Sequence, residues 1–190
     1  KLFEESPFSF YAFIAHEELG MRLKDYFIKE PQQPISERVV GLGETQHKHL
    51  KRAEKLITIG LMNSGLKELL LVKDSTRGSL PFIFYLSRLF YLAGDYHKSI
   101  QLSWRVFNQD NNKFFSIDLM KNLFPTAYLG LVESFKKKPK VDPMLILSLI
   151  RQESGFDSKI VSSANAIGLM QLLPSTAKQV AGWVKMKAPD

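Results

Sequence analysis

The chain has no cysteine among its 190 residues. Disulfides, thiolate metal centres and thiol chemistry are therefore excluded. Histidine is scarce too: His16, His47, His49 and His97 are the only four. His47 and His49 stand too close to share one helix face, and no usual metal-ligand spacing occurs, so no metal and no cofactor is expected. No apolar run reaches the length of a membrane span, because Ser, Lys or Arg interrupts each one. Lys1-Leu2-Phe3 runs straight into Glu4-Glu5, which is not a signal peptide. Period-two alternation bounded by turns is nearly missing outside short runs such as 69–73. Strands are not expected.

What is present is globular and basic. Hydrophobic residues make up 45% of the chain, enough for one large domain or two small ones. A net charge of +7 favours polyanionic partners. Nucleic acid is not among those expected, because no DNA- or RNA-binding motif accompanies the charge. Lys136-Lys137-Lys138-Pro139-Lys140 is the one basic cluster, and it reads as a solvated linker between two helices.

The first 120 residues read as helices joined by short turns. Phe10, Phe13, Ile14 and Leu19 before Gly20 suggest an amphipathic helix. Pro31 to Pro34, with Gly41 and Gly43 beyond, marks a longer loop. Ala53, Leu56, Ile57 and Leu61, followed by Leu66, Leu69 and Leu70, predict a helical hairpin turning at Asn63-Ser64-Gly65. Phe82, Leu86 and Leu89, then Tyr96 and Ile100, predict a second one turning at Gly94-Asp95. Tandem hairpins point to an α-solenoid of tetratricopeptide type. The aromatic residues Phe82, Phe84, Tyr85, Phe90 and Tyr91 fall at helical spacing, which suits inter-helix core better than a sugar platform. Gln109-Asp110-Asn111-Asn112 is a polar break after this region.

The most informative stretch begins at Asp142-Pro143. Asp can cap free backbone N–H groups, and Pro suits the first helical position. Ile146, Leu149, Ile150 and Glu153 then share one face, with Leu145 widening it. Gly155 follows as the natural C-cap. Glu153 is thus expected on an apolar stripe at the negative end of the helix dipole, where desolvation and dipole both favour the protonated acid. That suits general-acid cleavage of a glycosidic bond. Taken alone, a helix-end Glu paired with Arg151 or Lys159 is the plainer reading. A Ser- and Ala-rich segment from Asp157 to Ile167 follows, with Asn165 at a turn. Gly168 permits close approach before Leu169, and Met170 and Gln171 could line a sugar site.

Glu153-Ser154-Gly155-Phe156, the Ser-Ala spacer, Gly168-Leu169-Met170-Gln171 and Pro174-Ser175-Thr176-Ala177 resemble, in order and spacing, the soluble lytic transglycosylases. These form the lysozyme-like glycoside hydrolase family 23. Phe124-Pro125-Thr126-Ala127-Tyr128 looks like the entry to the same catalytic domain. Asn165-Ala166-Ile167-Gly168 replaces the family's Gly-Ala-x-Gly turn, and Asn tolerates left-handed backbone. The resemblance implies an all-α protein with a helical-repeat region over 1–120 and a lysozyme-like domain over 121–190. The family's later Tyr-Asn-Ala-Gly segment is not in the sequence, so an incomplete groove is expected.

The resemblance further implies Glu153 as the single catalytic acid/base, with Ser154, Met170 and Gln171 as substrate-binding residues of the glycan groove. It implies cleavage of the β-1,4 bond between N-acetylmuramic acid and N-acetylglucosamine, leaving a 1,6-anhydro sugar. Peptidoglycan glycan strands would be the partner, their carboxylate-bearing stem peptides suiting the basic chain. A periplasmic or cell-envelope location, with cell-envelope protein partners, would follow. Two other readings stay open: a hydrolytic muramidase using Asp157 as second carboxylate, and a non-catalytic helical-repeat scaffold that binds glycan or protein.

Overall fold

The computed structural model describes residues 42–72, 79–109, 116–135 and 141–187. The expected helix over 10–19, the loop at 31–34, the break at 110–112 and the basic cluster at 136–140 lie outside the described residues. Eight helices are present among the described residues: α1 (Glu44–Thr58), α2 (Met62–Val72), α3 (Leu80–Leu92), α4 (Tyr96–Gln109), α5 (Ile117–Leu123), α6 (Leu129–Ser134), α7 (Pro143–Ser154) and α8 (Pro174–Trp183). Extended pairing there is limited to two isolated bridges, Val161 with Ile167 and Ile167 with Leu172. The fold is all-α, as expected.

α1 packs on α2 and α3 on α4 as two antiparallel hairpins. Both turns are closed in one way. Gly60, at φ 84°, and Gly94, at φ 87°, take the left-handed position after the helix. Gly60 N–H donates to Ile57 O and Leu61 N–H to Leu56 O; Gly94 N–H donates to Tyr91 O and Asp95 N–H to Phe90 O. These are Schellman closures. The two glycines stand one ~34-residue tetratricopeptide period apart.

The first hairpin therefore turns at Gly60, not at Asn63-Ser64-Gly65. Gly65 lies inside α2 and is buried. A Cβ there would stand 2.7 Å from Ile57 Cγ1 and 3.4 Å from Ala53 O. Its lack of a side chain lets α2 approach α1, which is a packing requirement and not a turn requirement.

The first core joins Leu50, Ala53 and Ile57 of α1 and Leu69 and Val72 of α2 to Phe82, Ile83, Leu86 and Phe90 of α3. Leu102 and Val106 of α4 and Leu119 and Leu123 of α5 complete it. Phe82, Phe84 and Phe90 are buried, so these rings are core, as their spacing suggests. Polar ties cross it: Asn122 Nδ2 donates to Ser87 Oγ at 3.0 Å, both residues buried, and Ser87 Oγ donates to Phe84 O at 2.7 Å. Tyr85 OH donates to Glu54, and His49 Nδ1 meets Glu68 Oε2 at 2.6 Å across α1 and α2. Burial and the Glu54 hydrogen bond raise the Tyr85 phenol above its ordinary range.

A second, smaller core forms around Leu147, Ile150 and Phe156. Tyr128, Leu129, Val132 and Leu169 pack on it, and so do Tyr96 and Ile100 of α4. The repeat helix α4 thus belongs to both cores. This sharing sets the end of α7 against the start of α4.

Candidate active site

α7 begins and ends where its sequence says. Asp142 Oδ1 accepts from Met144 N–H at 2.8 Å, Pro143 follows at the first helical position, and Gly155 closes the helix at φ 56°. Phe156 then repeats the left-handed conformation at φ 67°. A buried aromatic residue in that region is strained by about 1–3 kcal/mol and persists only when its surroundings over-determine it. They do so here. The Phe156 ring stacks on Tyr128 at 6.1 Å and meets the edge of Tyr96 at 6.2 Å. Burial, with Tyr91 and Tyr128 nearby, raises the Tyr96 phenol above its ordinary value.

Two further contacts fasten α7. Arg151 Nε donates to Leu123 O at 2.8 Å, and its guanidinium lies 4.6 Å from the centre of the Phe124 ring. Partial burial lowers the Arg151 pKa. His97 Nδ1 lies 3.3 Å from the Ser154 carbonyl oxygen. None of Tyr96, His97, Tyr128 or Arg151 carries a local sequence signal for these contacts.

Glu153 does not sit against a wall. The buried face of α7 is Leu147, Ile150 and Ser154, whereas Glu153 is exposed with Leu145 (55%) and Leu149 (43%). The expected desolvation of its carboxyl is therefore corrected. Apolar residues cover more than half the circumference of α7, and only its neighbours choose which of them are buried. Nor is Glu153 held by Arg151 or Lys159: among the described residues its carboxylate has no ion pair or side-chain hydrogen bond. It is free to meet a ligand.

The segment after Phe156 is a compact double turn. Asp157 Oδ1 accepts from Lys159 N–H at 2.8 Å, so this carboxylate closes an Asx turn. Ser162 N–H donates to Ala166 O at 2.9 Å, with Asn165 left-handed at φ 60° as its residue type suggested. Gly168, at φ 73°, and Gln171, at φ 46°, form the next turn between Ile167 and Leu172. Gln171 Nε2 donates to Gly168 O at 3.0 Å and Ile160 O at 3.3 Å, fastening the turn from within. Leu169 docks in the second core, which places this turn beside α7 and leaves Met170 exposed.

Residues 130–189 match the family model described as the transglycosylase SLT domain. The match covers about a third of the chain. Its curated relatives include membrane-bound lytic murein transglycosylase C of Actinobacillus pleuropneumoniae serotype 5b, 50% identical over 50 residues, or 26% of this chain and 14% of the relative. The protein of that name from Mannheimia succiniciproducens is 37% identical over 78 residues, 40% of this chain and 22% of the relative. Two solved structures share the fold over 95% of this chain and 27% of theirs. The 70 kDa soluble lytic transglycosylase of Escherichia coli has a TM-score of 0.63 at 23% identity, and an inactive mutant of lytic transglycosylase Slt from Pseudomonas aeruginosa has 0.66 at 22%. The chain thus spans well under a third of the length of these proteins.

Within the SLT segment, the four residues singled out from the sequence have different situations. Glu153 and Met170 are exposed, while Gln171 is half-buried with its amide donating to backbone. Ser154 departs from its expected place in the groove: it is 3% exposed and its Oγ donates to Ile150 O at 3.0 Å. A serine three or four residues past an acceptor carbonyl satisfies its hydroxyl on its own helix. Tyr96, His97 and Tyr128, which hold the helix end, all precede the SLT segment.

Proposed function

We propose that the protein is a peptidoglycan lytic transglycosylase in which Glu153 is the acid and then the base. The observation that carries this reading is the unpaired, exposed Glu153 carboxylate on a helix end fastened from several sides inside the SLT segment. Protonated Glu153 gives its proton to the glycosidic oxygen as the C1–O bond breaks. The N-acetyl oxygen of the muramic acid residue closes on C1. The Glu153 carboxylate then takes the proton of the C6 hydroxyl, whose oxygen attacks C1 and releases the N-acetyl group. The product is a 1,6-anhydro sugar, with one carboxylate used twice instead of two used once.

Met170 and Gln171 would border the glycan, Met170 by apolar contact and the Gln171 turn by shape. Ser154 acts from beneath, as part of the helix end. Asp157 is the candidate second carboxylate of a hydrolytic mechanism, and its use in the Asx turn supports the single-carboxylate reading. Packing of Leu119 and Leu123 in the first core supports a seam between the repeat part and the catalytic part a few residues beyond 120. Among the described residues no helix is long and apolar enough to cross a membrane. A cell-envelope site of action, on peptidoglycan strands, fits the substrate.

The test is digestion of purified sacculi by the full-length protein, with products read by mass spectrometry. Anhydro-muropeptides are expected, and Glu153→Gln should abolish them. Reducing-end sugars as the sole product would assign hydrolysis instead.

A further inference from the structure

We propose that His97 is a positioning residue for Glu153, holding the end of α7 through the Ser154 carbonyl. The inference rests on the reading of Glu153 as the acid/base and adds a residue from outside the SLT segment to that site.

The carbonyls of a helix's last turn have no partners within the helix, and helix ends fray unless something takes them up. Arg151 O accepts from Gly155 N–H at 3.1 Å. Ser154 O, one peptide beyond Glu153, accepts from Asp157 N–H at 3.1 Å, and its second lone pair faces His97 Nδ1 at 3.3 Å.

A chain of hydrogen bonds decides the state of that ring. Lys98 Nζ donates to Gln101 Oε1 at 3.0 Å, which orients the amide. Gln101 Nε2 then donates to His97 Nε2 at 2.7 Å. With Nε2 accepting, the proton belongs on Nδ1, which donates to Ser154 O.

The backbone beneath is equally set. Asp95 Oδ1 accepts from Lys98 N–H at 2.9 Å and fixes the first turn of α4, where Tyr96 and His97 lie. Gly155 makes the approach feasible, since a Cβ there would stand 2.6 Å from His97 Nδ1. Its glycine thus serves two needs: the left-handed cap and room for the ring. Tyr96, next to His97, contacts Phe156 on the far side of that glycine. The repeat helix therefore grips the residues immediately after Glu153 from two directions. Misplacing a reacting group by about 1 Å can cost ~100-fold in rate.

The experiment uses the full-length protein on soluble glycan strands of defined length, with kcat and KM measured separately and thermal melting recorded for each variant. His97→Asn keeps an N–H donor near the Nδ1 position, and His97→Leu fills nearly the same space without one. H97L should lose about tenfold or more in kcat at an unchanged KM and a melting point close to that of H97N. H97N should stay within about threefold of wild type. Equal kcat for the two variants would overturn the proposal. If H97L does not fold, Gln101→Ala decides, because Gln101 is exposed and its loss releases the ring: a lowered kcat supports the proposal, and wild-type kcat overturns it. E153Q runs alongside. A silent E153Q beside a fully active H97L sinks the positioning role alone, whereas an active E153Q sinks the assignment of Glu153 beneath it.

Discussion

Gly155→Ala is the sharpest physical perturbation of this site. Two independent costs meet at one atom. The backbone stands at φ 56°, where an L-residue with a Cβ is strained by about 1–2 kcal/mol. The added methyl would also lie 2.6 Å from His97 Nδ1, so the ring must move. Moving it forfeits a hydrogen bond worth about 0.5–1.5 kcal/mol. Restricting the unfolded chain returns about 0.4–1 kcal/mol. The net expectation is a loss of about 0.5–3 kcal/mol, centred on about 2 kcal/mol. Urea denaturation followed by circular dichroism measures it. The two costs separate in a double-mutant cycle with His97→Ala: the backbone cost remains in the His97→Ala background and the clash does not. A coupling of about 1 kcal/mol is expected. A Gly155→Ala protein within about 0.5 kcal/mol of wild type would refute both parts of the reasoning.

Ser87→Ala should cost about 1–3 kcal/mol, because it leaves the buried Asn122 amide without its acceptor; Ser87→Ala with Asn122→Leu should recover much of that in the same denaturation assay. Tyr85 and Tyr96 both hold their protons more tightly folded than unfolded. Their contribution to stability is therefore full below the ordinary tyrosine value of about 10 and declines as pH rises beyond it. Stability measured against pH should fall on the alkaline side, and less steeply in Tyr85→Phe. Glu153→Gln, at an exposed position, should change stability by no more than about 0.5 kcal/mol while removing turnover, as melting curves and product analysis would show.

Much of α7 was legible residue by residue. Asp142, Pro143 and Gly155 act on backbone groups one to four positions away, and such interactions are written in the local order of residues. The same holds for the turn at Gly94-Asp95 and for the left-handed Asn165. The Glu-Ser-Gly-Phe and Gly-Leu-Met-Gln signatures also lie within one continuous segment, so the likeness to the SLT domain was readable without coordinates.

Other features depended on distant parts of the chain. Gly60 and Gly65 are chemically the same residue five positions apart, yet one closes a turn and the other admits Ile57. Only the approach of α1 to α2 distinguishes them. Of the stripe Ile146, Leu149, Ile150 and Glu153, widened by Leu145, Ile150 is buried and Ile146 packs on the second core. Leu145, Leu149 and Glu153 are exposed, and Leu147 and Ser154 are buried instead because Tyr128, Phe156 and α4 pack on their side. The contact of His97 with Ser154 spans 57 positions. Periodicity and capping report what a segment can do with its own neighbours. Which face it buries, and which ring meets its last carbonyl, is decided when separate helices compete for the same apolar surface.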